Sequence, residues 1–255
     1  MTRRRRLLGV YARLGRTYWA WAPTLLGLAA LVFIPLGFVD ALLNEVNTSS
    51  LDLTNGLRIA ALLGAVAAVT ASSLFGEVFF SGAIAASLTH PEDEDRPSFR
   101  HLASHVSYGK LIAVDIFYVA ILIIGAFLFL IGAFLAFVYF ALAGAVVELE
   151  KRGVREGFTR SFRLVRGHFW MVAAVVVPLE IVGDAINEAV VDGSHALLGH
   201  GLLPAWLGES LGNIITAPVF SVAVVLLTLD LMHHRDGAAP RLKRRPEAIP
   251  TPEAA

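Results

Sequence analysis

From Leu111 to Val147 the chain runs for 37 residues with a single charge, Asp115. A helix that crosses the roughly 30 Å hydrocarbon core of a bilayer needs about 20 apolar residues, each rising about 1.5 Å. The run is too long for one crossing and short for two. A soluble fold has no room for such a segment, and the rest of the chain agrees. Of 255 residues, 56% are hydrophobic and 16% charged, against roughly 45–50% and 25% in soluble domains. Mean hydropathy is +0.67. This balance excludes a water-soluble enzyme and also a disordered chain, which needs the opposite composition. Lys+Arg and Asp+Glu are equal at 21 each, so no net charge speaks for nucleic acid. Cysteine is absent, which removes disulfides, thiolate metal sites and cysteine nucleophiles.

Other stretches also reach spanning length. Trp21 to Leu43 contains Pro23 and Pro35; Leu57 to Leu88 carries Glu77; Phe169 to Ala189 carries Pro178, Glu180, Asp184 and Glu188; Gly212 to Met232 contains Pro218. Basic residues in short loops mark the cytoplasmic side. Arg3, Arg4, Arg5, Arg6, Arg13 and Arg16 place the N-terminal arm there, and five Lys or Arg do the same for the C-terminal tail. Lys151, Arg152, Arg155, Arg160, Arg163 and Arg166 stay on that side only if the Leu111–Val147 run crosses twice, bending near Gly132. The expectation is an all-α bundle of six spans, near 21–43, 57–88, 111–131, 133–148, 169–189 and 212–232, flanked by a basic arm over 1–20 and a disordered basic tail over 233–255. Both ends are expected in the cytoplasm. The bias to arginine and the abundance of Ala and Gly point to a bacterial plasma membrane. Thr2-Arg3-Arg4 is a faint export-signal pattern, but Arg13 and Arg16 interrupt it and no cleavage site follows Leu43.

Two groups of polar residues carry the functional expectations. Over 151–167, Val154, Phe158, Phe162, Val165 and Phe169 recur every three or four residues, and Arg152, Arg155, Arg160, Arg163 and Arg166 fill the remainder. This pattern predicts a basic amphipathic helix lying on the inner membrane surface. Each arginine near anionic headgroups is worth about 1 kcal/mol. The same charges could also serve topology alone. The second group is acidic: Glu180, Asp184, Glu188 and Asp192 fall four residues apart on one helical face. Glu180 and Glu77 sit deep in their spans, where an ionisable group faces the bundle interior or water. Glu180, Glu77 and Asp184 are the candidates for a proton or cation path. The alternative is that the helix leaves the lipid after Pro178 and only Glu180 is interior. A strip of small residues, Ala60, Gly64, Ala68, Ser72 and Gly76, predicts close helix packing within the bundle or a homodimer face.

Catalytic patterns fail. Ile181-Val182-Gly183-Asp184 lacks the first glycine of an intramembrane aspartyl protease, and Phe79-Phe80-Ser81-Gly82 lacks that of a rhomboid-type site. No His-Glu-x-x-His occurs, and His101 and His105 have no carboxylate placed with them. No enzyme, metal or cofactor is expected.

Two segments resemble a known family. Val147 to Trp170 has an acid closing a span, a helix with Arg160-Ser161, and Leu164-Val165-Arg166-Gly167 before an aromatic; Thr216-Ala217-Pro218 followed by Leu229-Asp230-Leu231 is similar to the end of the family's last span. The family is the bacterial six-span membrane domain attached to some glycerophosphodiester phosphodiesterases, with its stand-alone relatives. The resemblance covers roughly Tyr108 to Arg235. Relatives often carry Pro-Gly at the bend, where this chain has Ile131-Gly132. It implies a membrane module without the hydrolase, since no stretch here could form that barrel. The resulting expectation is a non-catalytic module engaging anionic lipids or a protein partner through the basic helix; the rival is a small transporter or channel using the interior acids.

Overall fold

A computed structural model of the chain describes residues 3–45, 76–89, 106–128 and 130–237, with side chains over 9–39, 41–42, 76–86, 106–125 and 131–237. Among the described residues there are eight helices and no strand: α1 Arg3–Glu45, α2 Glu77–Thr89, α3 Tyr108–Leu128, α4 Leu130–Phe140, α5 Ala143–Leu149, α6 Val154–Val165, α7 Phe169–Leu198 and α8 Leu202–Asp236. Five stretches are long and apolar enough to cross a membrane: Gly9–Val39, Tyr108–Gly125, Ile131–Leu149, Phe169–Leu198 and Leu202–Asp236. The chain is an all-helical protein with the spans of a multi-pass membrane protein. Of the expected span over 57–88, only the end is described, as α2, an apolar helix shorter than a crossing.

α8 is the axis of the bundle. Nearly every residue from Ala217 to Met232 is buried, with α1 and α7 packed along it. The α1 contact is closed near one end by Arg13 and Asp230, 3.4 Å apart. Toward the other, the Trp206 indole donates to the Ile34 carbonyl at 2.8 Å. α7 and α8 run past the ends of the apolar stretches and meet at a turn over 199–201. Nothing between Val190 and Leu211 forbids helix until Gly199 and Gly201, whose positive φ values of 83° and 137° suit glycine. Asn187 donates to Glu209 at 2.9 Å, and the Ser194 hydroxyl approaches the Pro204 carbonyl at 2.7 Å, so two polar bonds cross this hairpin.

The long apolar run does fold back on itself. α3 ends at Leu128 and α4 starts at Leu130, a few residues before Gly132. Gly132 acts instead as a contact: a Cβ there would stand 2.9 Å from the Gly125 carbonyl oxygen, so the two arms approach backbone to backbone. The returning arm breaks again at 141–142 and continues as α5. Phe134 and Phe137 rest on Phe169 and Phe220, joining this hairpin to α7 and α8.

α5 packs chiefly against α2, and glycine makes that possible. A Cβ at Gly144 would fall on the carbonyl oxygen of Val78. Gly76, the last residue of the expected small-residue strip, stands outside any helix with φ of 102°; the strip's other members lie outside the described residues. Gly144→Ala should therefore destabilise the protein by about 1–3 kcal/mol, seen as a lower melting temperature in detergent. Gly109→Ala, in a helix with open space at its Cβ, should leave it unchanged or slightly raised, and equal melting of both variants would refute the packing argument.

Candidate functional site

The basic helix α6 forms where its periodicity predicts it, and it buries part of the expected apolar face: Val165 is buried and Val154 and Phe158 pack against the core, but Phe162 is left out. Gly157, Ser161, Leu164 and Val165 are buried, while Phe162 is 38% exposed. The small residues explain this. Gly157 lets α6 close on Val147 of α5, and the Ser161 hydroxyl donates to the Tyr139 carbonyl at 2.7 Å. The phenylalanines are left at the flank, Phe158 edge-on to Phe140 at 5.3 Å and Phe162 against Tyr139 at 4.8 Å.

The basic residues of this segment divide into two sets. Arg152 is bonded to Glu150. Arg160 bonds both Glu150, at 2.9 Å, and Asp236 at the end of α8. Burial works against the Arg160 charge, and the bonds to Asp236 and Glu150 outweigh it, holding its pKa above the ordinary value. Lys151 pairs at 2.6 Å with Glu148, which is buried and also accepts the Ser107 N–H at 2.7 Å. Three of the six cations are thus paired: Lys151 and Arg152 locally at the turn between α5 and α6, and Arg160 across from α6 to the end of α5 and to α8. Arg155, Arg163 and Arg166 are exposed and have no carboxylate partner among the described residues. The Arg163 carbonyl, though not its side chain, is held by Arg235.

The acids divide as well. Glu77, at the start of α2, and Glu180, on α7, bring their carboxyl groups close to each other in the bundle interior. Oε2 of Glu77 is buried without a hydrogen-bond partner. Asp184, one turn beyond Glu180, is exposed, as are Glu188 and Asp192 farther along α7. The structure brings two of the three expected path residues together and leaves the third at the surface.

Sequence reasoning gave Asp115 no role beyond its being the one charge in an apolar run. It is fully buried, and Oδ2 accepts the Gly76 N–H at 2.5 Å, while Oδ1 has no hydrogen-bond partner. α2 begins at this point, and its first N–H groups have no carbonyl within the helix to bond. Asp115 therefore caps α2 from a different helix. The signal was a lone acid where an uncompensated charge could not survive, but its partner lay in backbone, which the sequence does not mark. Among the described residues no group of three or more metal-ligating side chains converges; His101 and His105 lie outside them.

Removing the cap tests its role. Asp115→Ala should cost about 1–3 kcal/mol by stranding the Gly76 N–H, whereas Asp115→Asn, whose carboxamide oxygen still accepts, should lose less; equal losses by denaturation in detergent would contradict capping.

Comparison with known proteins returns no match, whether with family models, curated sequences or solved structures.

Proposed function

We propose that this protein is a non-catalytic module of the bacterial plasma membrane that engages anionic lipid, or a partner of like charge, through α6. In this reading both chain ends are cytoplasmic, the chain crosses six times, and α6 lies along the inner face. The observation that carries it is the separation of the arginines. Arg155, Arg163 and Arg166 stand exposed without a carboxylate partner among the described residues, on a helix whose Phe158 and Phe162 lie at its flank. A helix needing charge only for topology has no use for cations held apart from the nearby acids. The resemblance of Val147–Trp170 to the membrane domain attached to glycerophosphodiester phosphodiesterases agrees with a module lacking the hydrolase, and family membership is part of the proposal.

Replacing Arg155, Arg163 and Arg166 together by Gln should weaken retention of anionic lipids or acidic partners on purification, by about 1 kcal/mol per arginine, with melting temperature little changed. Arg152→Gln with Arg160→Gln should do the reverse, lowering stability with less effect on lipid. Unaltered lipid and partner content in the first variant would sink the proposal.

The pairing of Glu77 with Glu180 supports a second reading, a small transporter or channel. Two interior carboxyl groups from different helices, with the exposed Asp184 one turn beyond Glu180, would give a proton or cation a route along α7 to solvent. Because the chain has no cysteine, Glu180→Cys would be its only thiol. Rapid labelling by a membrane-impermeant maleimide in intact cells favours this reading. No labelling, with His200→Cys in the α7–α8 turn reacting, removes it.

A further inference from the structure

Beside α6 lies a groove of about 600 Å³ that the reading above leaves unused. Its walls are Phe117 and Ile121 of α3, Phe140 of α4, and Phe158 and Phe162 of α6. The volume falls within the roughly 300–1,000 Å³ of sites that hold small molecules, and the lining is almost wholly apolar. Two polar side chains reach it. Thr159 spends its hydroxyl on the Arg155 carbonyl at 3.0 Å. Arg155 is the other, and its guanidinium has no carboxylate partner among the described residues.

Position on the helix separates Arg155 from its neighbours. Arg155, Phe158, Thr159 and Phe162 follow at spacings of three, four and seven, so they share the side of α6 that borders the groove. Arg163 borders no part of this lining, and neither does Arg166. Gly157 and Ser161 make the closest contacts of α6 with α5 and α4, and Phe158 and Phe162, stacked at the flank on Phe140 and Tyr139, border the groove.

We infer that this groove seats one anionic phospholipid, its acyl chain against Phe117, Ile121, Phe140 and Phe158 and its phosphate on Arg155. Charge complementarity selects the occupant. An apolar trough with one unspent, permanently charged, planar donor set suits a long hydrocarbon ending in an oxyanion, and guanidinium–phosphate pairing is bidentate and strong. The inference rests on the lipid-engaging reading of α6 and adds a single defined seat to it, distinct from the diffuse attraction of Arg163 and Arg166.

The test uses the full chain, purified in mild detergent and examined by native mass spectrometry with lipid extraction. The wild type should retain about one phosphatidylglycerol-class lipid per chain. Arg155→Gln should lower that occupancy about five-fold, Arg155→Lys should restore part of it, and Ile121→Trp, which fills the groove, should abolish it. Arg163→Gln with Arg166→Gln should leave the retained lipid in place while weakening binding to vesicles rich in anionic lipid. Arg155 is exposed, so its variants test the seat even if Ile121→Trp fails to fold. Retention unchanged in Arg155→Gln, or a retained lipid that is zwitterionic, overturns the seat. Vesicle binding unchanged in the Arg163→Gln, Arg166→Gln protein instead overturns the wider reading of α6.

Discussion

A carboxylate fully removed from water holds the start of a helix. Away from water, every backbone N–H and C=O must find a partner, and a helix that begins inside the protein exposes its first donors to nothing. Asp115 supplies the acceptor from α3, and this fixes where α2 begins and how α3 crosses it. α5 then packs on α2 through Gly144, and Leu111 of α3 lies where a Cβ at Gly82 would collide. The compact group of α2, α3 and α5 is arranged around a single ionisable side chain, with Tyr118 and Val114 buried in the apolar cluster alongside it.

Small residues decide the other contacts. Apolar side chains gain little by meeting each other when lipid tails are an equal alternative, so close backbone approach and polar bonds provide the adhesion. Gly208 faces Val191 and Gly212 faces Asn187 along α7 and α8; Gly37 faces Ser210 between α1 and α8; Gly157 faces Val147 under α6. The same rule sets the closest contacts of α6: its glycine and serine meet α5 and α4, while Phe162 stays at the edge.

This contrast marks how far the sequence could be read. Helical class, the long apolar elements and the fold-back of Leu111–Val147 follow from hydropathy and from basic residues alone, because both reflect the bilayer and not the neighbours. α6 was legible as a helix from its three-and-four spacing. Which of its residues make the closest contacts was not, since hydrophobicity ranks residues by transfer energy while the bundle ranks them by shape. The Glu77–Glu180 meeting joins helices separated by about a hundred residues; sequence depth grouped both acids in one candidate path without showing that they would lie side by side. Asp115 was visible as an anomaly and unreadable as a cap, because its partner is a main-chain group. Pairing of Arg152 and Arg160 with Glu150 and Asp236 was likewise hidden, for the distant acid arrives only once α8 has run past the apolar stretch.

That pairing changes how this face of the protein is felt from a distance. Six cations between Lys151 and Arg166 suggest a strongly positive field, yet three of them are neutralised where they stand, and Glu156 on the same helix offsets part of the remainder. Within about a Debye length, some 8 Å at physiological ionic strength, an approaching surface meets a modest and patchy potential in place of a broad one. Added salt should then weaken long-range attraction only gently, and recognition at this face falls to short-range fit, where the position of each guanidinium counts for more than the number of them.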